Sequence, residues 1–172
     1  MSATVELCES NGSTETITHN VSQFNMGNSD TPNMTYTSYP IPVGSCAFNK
    51  LLRYHVTGGT FNVFNNLQVY LSNLGGGWKT GESMQCNLNT TQGSYDTYKV
   101  TSFAQPSTTP YTAYSMPEAD PASANLGIGG SLTGQLTGAG YSDYFKVQLK
   151  TTGSTPSGDS NQKTFTFQYD EQ

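Results

Sequence analysis

The chain has 172 residues, of which 11% are charged, 34% hydrophobic and 12% aromatic, and its formal net charge is −5. This length suits one domain with a real core, and seven scattered Lys and Arg residues argue against nucleic acid as a partner, because phosphate binding needs clustered basic side chains. No apolar run approaches the ~20 residues of a membrane-spanning helix. Polarity supplied by Asn, Thr, Ser, Gln and Gly, with abundant Thr, Tyr, Phe and Val, points to an all-β fold.

In chain order, the first segment, "MSATVELCESNGSTETITHN", has neither a basic nor an apolar stretch of the secretory kind, so no signal peptide is expected. Residues 2–8 read as a first strand. From Ser10 to Ser45 the alternation is weak and three prolines interrupt it, which predicts an extended N-terminal arm over residues 1–47 that finds order on another surface. Phe24, Met26, Met34, Tyr36, Tyr39 and Ile41 are spaced along this arm between polar residues and are its expected partner-binding anchors.

A β-sandwich of jelly-roll or Ig-like kind is expected over residues 48–172. Leu52, Tyr54 and Val56 share one face of a strand, Gly58 and Gly59 mark a turn, and the phase slips at Phe64–Asn66 before Leu67, Val69 and Leu71 resume, as a β-bulge requires. Met84, Cys86 and Leu88 alternate next. Shorter strands are expected at 96–104, 110–116 and 126–132. Phe145, Val147 and Leu149, then Phe165, Phe167 and Tyr169, alternate with polar residues on either side of a Gly/Pro-containing loop, and read as a C-terminal β-hairpin with a projecting tip.

Residues able to do chemistry are sparse. His19 and His55 stand far apart, outside any metal-ligand spacing, and His55 beside Arg53 reads as solvent-facing. No nucleophile motif accompanies them. Asp143, Asp159, Asp170 and Glu171 read as turn and loop acids, and "LGIGGSLTGQLTGAG" lacks the pattern of a phosphate cradle. Cys8, Cys46 and Cys86 have no CxxC spacing and are expected to be reduced. No catalytic residue, cofactor or metal site is expected, and the chain is not read as an enzyme. Tyr is abundant, with Tyr36, Tyr39, Tyr95, Tyr98, Tyr111, Tyr114, Tyr141 and Tyr144 in or beside polar segments, a composition suited to protein contact or sugar stacking.

The stretch "FNKLLRYHVTGGTFNVFNNLQVYL", the later "MPEADPASANLGIGGSLTGQLTGAGYSDYFKVQLKTT" and the terminal "FTFQYDEQ" resemble small structural proteins of tailed-bacteriophage virions, over roughly residues 48–172. "GTFN", "GYSDY" and "YDEQ" carry the likeness most directly. The resemblance implies a decoration or cement protein assembled in the host cytoplasm, bound to the major capsid protein or other virion subunits. A homo-oligomer is implied with it, a trimer by analogy. The alternative is a carbohydrate- or receptor-binding sandwich of a tail or fibre, with Trp78 as its stacking platform. Deleting residues 1–45 is expected to abolish particle binding and spare the sandwich, provided the strand at 2–8 is not central to the sheet.

Overall fold

A computed structural model describes residues 2–88, 94–95 and 114–172. Their nine strands are β1 (Ala3–Asn11), β2 (Thr16–Thr18), β3 (Lys50–Gly59), β4 (Phe64–Asn73), β5 (Ser83–Asn87), β6 (Tyr114–Ser115), β7 (Gly140–Tyr141), β8 (Phe145–Lys150) and β9 (Thr164–Glu171). All pair antiparallel. One sheet runs β2-β1-β3-β8-β5-β6, with β7 also on β3, and β4 and β9 form a second sheet.

Period-two patterning explains which faces meet. Leu52, Tyr54 and Val56 of β3, Met84 and Cys86 of β5, and Phe145 and Val147 of β8 point from the large sheet into one apolar cluster with Phe64, Leu67, Val69 and Leu71 of β4. Phe165 and Phe167 of β9 pack against the same cluster. Full burial of such side chains is worth about 1.5–3 kcal/mol each, which makes this shared core the main adhesive between the sheets. The phase slip in β4 is a bulge, as expected: the register with β9 shifts between Asn65 and Gln68, and Asn66 has φ 53°. Gly59, at φ 123°, lies against the backbone of Ser2 and Ala3, where a Cβ would collide, so the start of β1 can close over the end of β3 only at a glycine.

Three expectations change. The C-terminal strands do not form a hairpin: β8 pairs with β3 and β5, whereas β9 pairs with β4, so residues 151–163 carry the chain from one sheet to the other. Adjacent strands pair only about two-thirds of the time, and here Phe145 and Phe165 pack against the same cluster from different sheets. The N-terminal segment contributes two strands to the large sheet. β1 lies between β2 and β3 and pairs with β3 from Ala3↔Gly59 to Ser10↔Leu51, so the proviso on the truncation fails. Residues 126–132 are not a strand: Ile128 bridges Ser131 across Gly129 (φ 61°) and Gly130 (φ 84°), a tight reversal that needs positive φ at both central positions. The strand expected at 96–104, Tyr98 and Tyr111 lie outside the described residues; of 110–116, Tyr114–Ser115 form β6.

Candidate functional site

Two features stand out: a donor cluster on the outer face of the large sheet and an aromatic cleft on its inner side. The cluster follows from strand register. Val5 and Leu7 face the core, so the intervening Glu6 and Cys8 face outward, and antiparallel pairing sets Glu6 opposite His55 and Cys8 opposite Arg53. After β2, a turn at Asn20 (φ 55°), held by the Val21 amide donating to Leu7 O (3.0 Å), returns the chain over β1 and delivers His19.

His19 Nδ1 lies 2.6 Å and His55 Nδ1 2.7 Å from the same oxygen, Glu6 Oε1. Cys8 Sγ is 3.5 Å from His19 Nδ1 and 3.8 Å from Glu6 Oε1. Burial works against ionisation of Glu6, but its hydrogen bonds to His55 and His19 outweigh this and hold its carboxyl below the usual range. An ionised Glu6 accepts only, so both imidazoles donate from Nδ1. Burial, reinforced by the Glu6 charge, pushes the Cys8 thiol up to about 11. The other Glu6 oxygen accepts the Asn20 amide (3.2 Å).

An aromatic and cationic row supports this cluster. The His55 ring stacks on Tyr141, with centroids 4.1 Å apart and planes 9° from parallel. Arg53 lies over Tyr141 (3.9 Å) and Tyr144 (4.5 Å) and donates to Glu15 Oε1 (3.3 Å), which also accepts Ser10 Oγ (2.7 Å) and Tyr144 OH (2.5 Å). His55 is therefore half-buried and fixed in orientation, not solvent-facing, and its ring centroid is 5.6 Å from that of His19. The alternation at Glu6 and Cys8 was the available signal; what sequence reasoning lacked was the register that puts β3 beside them.

On the other side, residues 21–43, the inner face of the large sheet, β9 and the loop 155–163 enclose a cleft of about 1090 Å³. Of the expected arm anchors, Phe24 packs on Phe165 (centroids 5.0 Å), Met26 rests on the core and Met34 is buried, so this part of the segment finds its order on its own chain. The amide of Phe48 donates to Gly27 O (2.8 Å) and that of Asn28 to Tyr39 O (2.9 Å), tying the segment down. Ile41 lines the cleft half-buried, and Tyr36 (49% exposed), Tyr39 (40%) and Val43 (61%) leave apolar surface open beside it. Trp78 also lines the cleft; its Nε1 donates to Glu118 Oε1 (2.6 Å), and Lys163 Nζ sits 4.4 Å from its ring centroid. That cation covers one face of the indole, and the ring is partly buried against the core cluster.

Compared with known proteins, the chain matches no family model, no curated protein and no solved structure.

Proposed function

We propose that the chain is a structural protein of a tailed-bacteriophage virion, a decoration or cement protein that binds the capsid exterior as an oligomer, a trimer by analogy. The observation that supports this reading is the cleft together with the strand at its side. β9 pairs with β4 along one edge only, its other edge makes no backbone hydrogen bond among the described residues, and Phe165, Phe167 and Tyr169 line the cleft. Such an edge accepts an added strand, whose backbone supplies affinity while pockets for alternate side chains supply specificity. Exposed Tyr36, Tyr39 and Val43 add apolar surface beside it. The finer fold reading, one β-sandwich of jelly-roll or Ig-like kind, draws on the main apolar cluster that the two sheets share.

The chain should be found by mass spectrometry in purified particles of its source and should cosediment with particles stripped of it, at saturable occupancy. Tyr36→Ser with Tyr39→Ser should weaken that binding. Absence from particles and failure to cosediment would remove the proposal. The second reading, a glycan-binding module, is favoured by one observation, the place of Trp78 in the lining of the cleft; glycan-array hits lost on Trp78→Ala would establish it, and an array without hits would remove it.

A further inference from the structure

We propose that Glu6, Cys8, His19 and His55 form a binding site for one divalent transition-metal ion of the zinc class, which staples the β1–β2 hairpin to β3. The inference does not depend on the virion reading. One ligand atom from each residue lies within 4.8 Å of the other three. A tetrahedral zinc shell, with Zn–N of about 2.0–2.1 Å and Zn–S of about 2.3 Å, has edges of about 3.5 Å. The Cys8–His19 separation of 3.5 Å and the Cys8–Glu6 separation of 3.8 Å already match such edges. The two His–Glu6 contacts, at 2.6 and 2.7 Å, are shorter because each is a hydrogen bond, and they need open by less than about 1 Å to admit an ion.

The donor set selects the class of metal. A thiol, two imidazole nitrogens and one carboxylate oxygen form a borderline-soft shell that suits zinc or its transition-metal neighbours and does not suit calcium or magnesium, which take oxygen ligands. Four protein donors fill a tetrahedral shell, the pattern of a structural site. The donors are also pre-aimed. The Asn20 amide holds the far oxygen of Glu6, Tyr141 fixes the plane of the His55 ring, and Cys8 is held on β1 by pairing on its β3 side. A plain His–Glu–His hydrogen-bond network would need no thiol, yet Cys8 Sγ lies within reach of both partners. His19, its side chain 46% exposed, leaves an approach from solvent.

The full chain, reduced and stripped with a chelator, is titrated with zinc and with cobalt(II). The expected result is one ion per chain, a cobalt spectrum carrying a thiolate charge-transfer band, and a rise in Tm with zinc that chelator reverses. Cys8→Ser should abolish the thiolate band. His19→Gln, at an exposed position that folding tolerates, should weaken binding by more than about 100-fold, beyond the cost of losing an outer-shell partner. Cys46→Ser should change neither. The proposal is overturned if no stoichiometric ion binds the folded chain, or if binding persists unchanged in both Cys8→Ser and His19→Gln.

Discussion

Lys50 and Glu9 lie on the core side of the large sheet, both buried, with Nζ 2.7 Å from Oε1. Lys50 also donates to Thr31 O (2.9 Å), and Glu9 Oε1 accepts Asn11 Nδ2 (2.9 Å), while Glu9 Oε2 is buried without a hydrogen-bond partner among the described residues, so the desolvation cost is offset only in part. Lys50→Met should cost about 3–5 kcal/mol by stranding a buried carboxylate. Adding Glu9→Leu should recover most of that loss, and urea unfolding of the wild type, both single variants and the double variant would measure the coupling. At Asp143 burial raises the carboxyl above its ordinary value, against the opposing hydrogen bonds from the Gly130 and Gly129 amides. With the folded value above the unfolded one, the stability it contributes is complete below the ordinary aspartate value of about 4 and is lost as pH rises through the raised value. Asp143→Asn should flatten Tm against pH in that window while leaving the slope elsewhere unchanged.

Among the strands, β1 carries consequences out of proportion to its ambiguous sequence. Removing residues 1–45 takes away a strand paired along most of β3 and uncovers that edge of the sheet, so the truncated chain should lose cooperative thermal unfolding and aggregate. Particle binding by the arm is therefore tested by substitution. Tyr36→Ser with Tyr39→Ser should leave stability within about 0.5 kcal/mol per site, as exposed positions generally do. In β4, Phe64 is fully buried beside Tyr169 (ring centroids 4.5 Å), and its amide donates to Leu136 O (2.9 Å). Phe64→Ala should cost about 3–5 kcal/mol in the same urea assay.

Among the described residues, two sheets of unequal width share the main apolar cluster, and the narrower sheet leaves part of the wider one to face a cleft. That asymmetry is what makes a partner strand plausible physically: it would pair the free edge of β9 and cover half-exposed aromatics in one step. Binding of that kind draws on apolar area and backbone pairing, and the chain has few charges for salt to screen. If the chain is the proposed virion protein, its affinity for the particle should change little between low and moderate salt, and light scattering of the free and particle-bound forms would test for an oligomer. A collapse of affinity on adding salt would place the anchor on charged groups instead.

Local alternation by itself determined the all-β class, the inward faces of β3, β4, β5 and β8, and the bulge at Asn66, because side-chain direction in a strand depends only on position along it. Partner choice was decided by the tertiary structure. Phe145 and Phe165 belong to equally regular runs, yet one packs from the large sheet and the other from the small one, since pairing follows which apolar faces meet across the core. The donor cluster was hidden for the same reason. Glu6 and Cys8 are legible as outward neighbours on one strand, but only the Glu6↔His55 register and the turn at Asn20 bring two distant histidines to the same carboxylate oxygen.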